Sequence, residues 1–162
     1  MRVSQYLSDQ HIAFEEVVHP PAFTSQKLAK SLHVPGRQVM KSILLKGPNG
    51  LFLAVLPASH VIDLARLGIQ FKGSVRLASV PELNERFSDC EFGALMPFGQ
   101  LYHLPTILEA TIPLEATIVF EAQRHAVAIR MSCRDYVKLE HPERLAFALQ
   151  RSVPDQPQPQ AG

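Results

Sequence analysis

Two apolar runs, Val39–Lys46 and Leu51–Leu56, are separated only by Gly47-Pro48-Asn49-Gly50. Short apolar runs joined by four turn-forming residues predict a β-hairpin, and that hairpin limits the fold to one containing an antiparallel pair. The flanking segments alternate between helix and strand signals. Ser4–Gln10 reads as a short helix capped by Ser4, and Ala13–Val18 as a strand stopped by His19-Pro20-Pro21. Thr24 caps a second helix reaching His33, with Leu28 and Leu32 one turn apart on its inner face and Pro35-Gly36 at its end. Ser59–Leu67 predicts a helix closed by Gly68. Ser79 and Glu82 form a capping box with Pro81 in the first turn, which predicts a helix through Phe87. Gly93–Gly99 is a loop by composition. Tyr102–Leu104, Thr117–Phe120 and Ala126–Met131 read as strands, Ser132 with Asp135 opens a short helix, and Pro142–Gln150 reads as a last one. The sum is a mixed α/β domain over residues 1–151 with a largely antiparallel or mixed sheet, not a regular βαβ array. The Pro/Gln-rich stretch 152–162 is expected to be a disordered tail.

Composition narrows the function. With 162 residues, 46% of them hydrophobic and 19% charged, the chain can bury one sizeable core. No apolar run approaches the ~18 residues of a membrane span, and Met1–His11 lacks the apolar centre of a secretory signal, so a cytoplasmic protein with no membrane partner is expected. Cys90 and Cys133 follow no metal-ligand spacing and are expected to be reduced thiols. The net charge is only +1, but it is unevenly spread. From Val17 to Ile62 there is no acid, while Lys27, Lys30, Arg37, Lys41 and Lys46 are all cationic; from Ser79 to Glu121 seven acids face only Arg86. This asymmetry suits a basic face meeting a phosphate backbone and equally suits chance segregation on a solvated surface. A protein clamping a long duplex, DNA included, carries more positive charge than this.

Several chemistries lack their motifs. No glycine-rich phosphate fingerprint follows a strand, so nucleotide hydrolysis and dinucleotide binding lose support. The seven histidines contain no i, i+4 pair with a nearby acid, as a zinc hydrolase would need. There is no Gly-x-Ser-x-Gly elbow and no activated cysteine for covalent acyl transfer. Three features remain. The loop Phe92-Gly93-Ala94-Leu95-Met96-Pro97-Phe98-Gly99 brackets bulky residues and a proline with two glycines. Gly93 there removes a side chain where the backbone would approach another group closely, and neighbouring N–H groups could face a carbonyl or oxyanion. Lys41 heads an apolar strand, where it could grip a phosphate or polarise a carbonyl. His125 lies in a turn before a strand, where a side chain can face a pocket. Taken singly, each also fits a purely structural role.

In order along the chain these features resemble a known family. His19-Pro20-Pro21-Ala22-Phe23-Thr24-Ser25, then Val39-Met40-Lys41-Ser42-Ile43-Leu44-Leu45, then Leu53-Ala54-Val55-Leu56-Pro57-Ala58 are similar to the stand-alone YbaK-like proteins, relatives of the editing domain of bacterial prolyl-tRNA synthetases. Gly93-Ala94-Leu95-Met96-Pro97 matches the family's Gly-x-x-x-Pro loop, and Phe120–His125 with Met131–Tyr136 matches its closing strand, histidine and following helix. The similarity covers roughly residues 3 to 145. Gln123 departs from the glycine that many relatives carry before the histidine, and Ser42 from a common threonine or asparagine. The resemblance implies one mixed, partly curled sheet flanked by helices. It implies trans-editing: hydrolysis of the ester of a mischarged aminoacyl-tRNA, with the substrate's own ribose hydroxyl assisting and no metal or cofactor. Lys41, Gly93 and His125 are the implied catalytic positions. Phe23, Leu28, Ser42, Ala94, Leu95, Met96 and Pro97 are the implied substrate-binding ones. The partners would be the tRNA acceptor end and, in one version, a synthetase. The alternative is a non-catalytic module of the same fold that grips a tRNA end or a synthetase.

Overall fold

The computed structural model describes residues 3–151, so the stretch 152–162 read above as a tail lies outside the described residues. The hairpin forms as expected. Strand β2 (Met40–Gly47) pairs antiparallel with β3 (Gly50–Pro57), from Met40 opposite Pro57 to Gly47 opposite Gly50. Gly50 closes the turn at φ 116°, a conformation that only glycine adopts cheaply. Strand β3 is apolar throughout because both its faces are covered: Leu53 and Val55 enter one core cluster, Ala54 and Leu56 another.

Around this pair a mixed five-stranded sheet is built in the order β5-β2-β3-β6-β9. Strand β5 (Arg76–Leu77) runs antiparallel to β2, whereas β6 (Thr106–Glu109) lies parallel to β3, and β9 (Glu143–Leu145) parallel to β6. A second, antiparallel sheet has β8 (Val127–Ser132) between β1 (Phe14–Val18) and β7 (Thr117–Glu121). The parallel bridge between Val39 and Val119 joins it to the first. Strands β4 (His60–Ile62) and β10 (Ala148–Gln150) make a short antiparallel ladder. Helices α1 (Val3–Asp9), α2 (Ser25–Ser31), α3 (Leu64–Phe71), α4 (Val80–Arg86) and α5 (Cys133–Glu140) flank the strands. Two of the caps read from the sequence form: Thr24 Oγ1 accepts from Lys27 N at 3.0 Å, and Ser79 with Glu82 makes the full capping box, whereas Ser4 lies inside α1, which begins at Val3, and does not cap it. The architecture is thus the mixed α/β one expected.

Three local expectations need correction. The helix read over Ser59–Leu67 starts later, at Leu64, because the Asp63 side chain caps it by accepting from Arg66 N at 3.1 Å. Residues 60–62 instead pair with β10, and Gly68 lies inside the helix, which ends at Lys72 in the left-handed conformation. Tyr102–Leu104 is not a strand. Gly99–Tyr102 forms a 3-10 turn closed by Leu104 N donating to Gly99 O at 2.9 Å, and the strand begins at Thr106, past Pro105. The final helix read over Pro142–Gln150 is two strands, β9 and β10. Between them Glu109 Oε1 accepts from Phe147 N and Ala148 N, both at 2.8 Å, and Phe147 is fully buried. Sheet partners distant in sequence override the local helical signal there.

Candidate active site

At the open end of the hairpin, β2, the segment entering α2, the 92–99 loop and the end of β7 enclose a cavity of about 180 Å³. Lys41, Ser42, Phe23, Leu28, Gly93, Leu95 and Glu121 are among the residues lining it. Lys41 is half-buried, and loss of hydration, with Arg151 nearby adding repulsion, lowers its pKa from 10.5 to about 8. It therefore remains mainly protonated at neutrality. Arg151 arrives through the β4–β10 ladder, its N donating to Ser59 O at 2.9 Å. Ser42 Oγ has no hydrogen-bond partner among the described residues.

The loop opposite Lys41 divides into a part that faces the cavity and a part that holds the loop down. Gly93 sits at φ 83°, and a Cβ built there would meet only His125 Cε1, at 3.9 Å. Its glycine is therefore demanded by backbone conformation, not by the close approach inferred from sequence. Ala94 N donates to Glu91 O at 2.9 Å, while the N–H groups of Gly93 and Leu95 donate to no group among the described residues. Ala94 and Met96 are buried in the core and do not line the cavity. Nor does Pro97, whose carbonyl accepts from the buried Tyr136 hydroxyl at 2.6 Å. The structure does not bring these three, expected as substrate contacts, into the lining of this cavity.

His125 stands behind the cavity, its ring 4.9 Å from that of Phe23. The Phe92 carbonyl lies 2.8 Å from His125 Nε2. A carbonyl only accepts, so Nε2 carries the proton and Nδ1 is left to face Glu121 Oε2 at 3.0 Å. Neither Nδ1 nor Oε2 has a hydrogen-bond partner among the described residues. Burial pushes the Glu121 carboxyl upward, and His125 opposes that shift. Glu121 did not figure among the sequence candidates, although the alternation of Thr117–Glu121 carried the signal. Glu121 shares a strand face with Val119, which is fully buried, so it is an acid on an inward face.

Gln123, read above as a departure from the glycine that many relatives carry, adopts φ 70°, the left-handed region that a glycine would favour. Its side chain offsets the strain: Oε1 accepts from Val3 N at 3.2 Å and Nε2 donates to Asp89 Oδ2 at 3.0 Å. The turn before His125 is thereby kept. Gln123→Ala should lower stability by about 1–2 kcal/mol through the two lost bonds. Gln123→Gly should cost less, since it also removes the left-handed penalty. Thermal unfolding of both variants checks the order.

The sequence model of the aminoacyl-tRNA editing domain matches residues 19–139. A proline–tRNA ligase of Thermosipho africanus (strain TCF52B) is 30% identical over 86 residues, which are 52% of this chain and 15% of the ligase. The corresponding ligase of Fervidobacterium nodosum is 32% identical over 62 residues, 38% of this chain and 11% of the ligase. The chain thus spans only a small part of either ligase. Among solved structures, a hypothetical protein superposes with a TM-score of 0.81 at 16% identity, over 91% of this chain and 99% of the other. A candidate trans-editing enzyme for prolyl-tRNA synthetase superposes with a TM-score of 0.78 at 19% identity, over 93% and 95%.

Proposed function

The chain belongs to the aminoacyl-tRNA editing domain family, and from that premise we propose that it is a trans-editing deacylase, acting in the cytoplasm on tRNA mischarged with a small amino acid. The observation that carries this reading is the cavity itself, lined by a half-buried lysine and by Gly93 and Leu95, whose backbone N–H groups donate to no group among the described residues.

In the reaction a water oxygen attacks the ester carbonyl carbon. The bond from that carbon to the ribose oxygen breaks, the ribose oxygen takes a proton, and the amino acid leaves as its carboxylate. An aminoacyl ester is already activated, so positioning a water and stabilising one developing oxyanion go far toward the required rate. Lys41 supplies a compact positive charge where the ester meets the terminal nucleotide. The N–H groups of Gly93 and Leu95 are the donors for the oxyanion. The substrate's ribose hydroxyl orients the water, which leaves no role for a protein nucleophile. At about 180 Å³ the cavity is smaller than the roughly 300–1,000 Å³ of drug-sized sites, which favours small amino acids. The exposed Phe23, which lines the cavity, offers a face for the terminal base, and Lys27 and Lys30 on α2 with Arg37 just beyond it are the cations assigned to the phosphates in this reading. Such a site removes errors that a synthetase pocket rejects poorly.

The test is a panel of tRNAs charged with glycine, alanine, serine and larger amino acids, followed for ester loss. Hydrolysis of at least one small member well above the spontaneous rate is expected. Binding of charged tRNA with no ester loss from any member would replace this reading with that of a binding module.

A further inference from the structure

The cavity is electrically bipolar. Among the described residues lining it, Lys41 is the one cation and Glu121 the one acid; the remainder are apolar or neutral. Glu121 is 9% exposed, and its Oε2 lies 3.0 Å from His125 Nδ1. That histidine is itself held by the Phe92 carbonyl, at 2.8 Å from Nε2. The next acid, Glu91, is turned toward the backbone, its Oε2 accepting from His125 N at 3.1 Å. The site therefore holds one carboxyl in a fixed position facing a small cavity.

A buried carboxyl is costly unless a cation or donors meet it. In an aminoacyl-tRNA end the phosphates are anionic, the ester is neutral, and the α-ammonium is the one cation. We propose, resting on the deacylase reading above, that Glu121 receives the α-ammonium of the esterified amino acid, with His125 as the positioning residue that aims it. The substrate class is thereby narrowed to esters with a free α-amino group. Lys41 and Glu121 then grip the two ends of the acyl linkage and fix its carbonyl between them, and esters lacking the ammonium are discriminated against. Burial raises the carboxyl pKa, and an arriving ammonium offsets that shift by favouring the ionised form.

The experiment pairs glycyl-, alanyl- and seryl-tRNA with glycolyl-, lactyl- and glyceroyl-tRNA, in which a hydroxyl of nearly equal size replaces the ammonium. Rates are divided by the spontaneous hydrolysis of each ester. The wild-type protein should prefer the aminoacyl member by ~10-fold or more, the scale of one charged hydrogen bond. In Glu121→Gln the ratio should fall toward one. A wild-type ratio near one overturns the proposal without recourse to any variant. So does an equal loss on both members of a pair in Glu121→Gln, which would mark the carboxyl as a general base or a structural group. Failure of the deacylase reading is distinct: no ester of either kind would then be cleaved by the wild-type protein.

Discussion

Replacing Lys41 with alanine should reduce deacylation by about 10²-fold or more, the scale of losing a charge that positions the reacting ester. Circular dichroism should remain native. Lys41 is half-buried at the open end of the hairpin, and its backbone pairs with Leu56 whatever side chain it bears. The same residue should also lower stability. Loss of hydration brings its pKa from 10.5 to about 8, so the folded state holds the lysine's proton less tightly than the unfolded one does. Between about pH 8 and 10.5 the unfolded chain binds more protons, and stability rises with pH. Below about pH 8 the full penalty of roughly 1–3 kcal/mol applies. Lys41→Met should therefore be inactive yet more stable than wild type at pH 7, and the gap should close as pH approaches 10.5. Denaturant titrations at pH 7 and pH 10 test this, and equal stability of the two proteins at both values would refute it. Activity should decline on the alkaline side as Lys41 loses its proton.

The hairpin was legible in the sequence because it has a local signature, whereas Lys41 stood out only through its order along the chain with the Gly93 loop and His125. The strands are short apolar runs with a turn between them, and the capping box of α4 is a four-residue pattern. The site's electrostatics were not legible. Glu121 and His125 are four residues apart, yet their contact depends on the turn at Gln123 and on the carbonyl of Phe92, which comes from a different loop. Arg151 reaches the neighbourhood of Lys41 only because β10 pairs with β4, and that segment reads locally as helix. The core-facing role of Met96 was hidden for a similar reason. A glycine- and proline-bracketed loop shows which residues are constrained, but not which side of the loop faces inward. Where a contact is local the sequence pattern suffices, and where it depends on strand pairing across many residues it does not.

The two glycines of that loop make the point experimentally. They look alike in sequence, and the structure requires each for a different reason. Gly93 has room for a methyl group but a φ of 83°, so Gly93→Ala should cost about 1–2 kcal/mol of backbone strain and leave the fold standing. At Gly99 no positive φ is involved, but a Cβ would collide with Thr106 Oγ1 and lie 2.7 Å from Leu104 O. Neither neighbour can move freely. Thr106 Oγ1 accepts from Gly99 N at 3.2 Å and donates to Glu140 Oε2 at 2.6 Å, and Glu140 also accepts from Gln100 N at 3.3 Å. Glu140 is 2% exposed, and burial raises its carboxyl to about 7, so disturbing these bonds leaves a costly buried acid. Phe98, next in the chain and fully buried, packs edge-on against Tyr6, Phe120 and Tyr136. Gly99→Ala should thus cost about 3 kcal/mol or more, from overpacking together with the disrupted bonds, and lower Tm by more than 5 °C. Because the shift propagates into the loop carrying Leu95 and Gly93, deacylation should fall with it even at temperatures where the variant is folded. Thr106→Ser in the Gly99→Ala background separates the causes. Removing the threonine methyl lets the hydroxyl rotate aside and should recover part of both losses, whereas no recovery would place the strain at the Leu104 carbonyl instead.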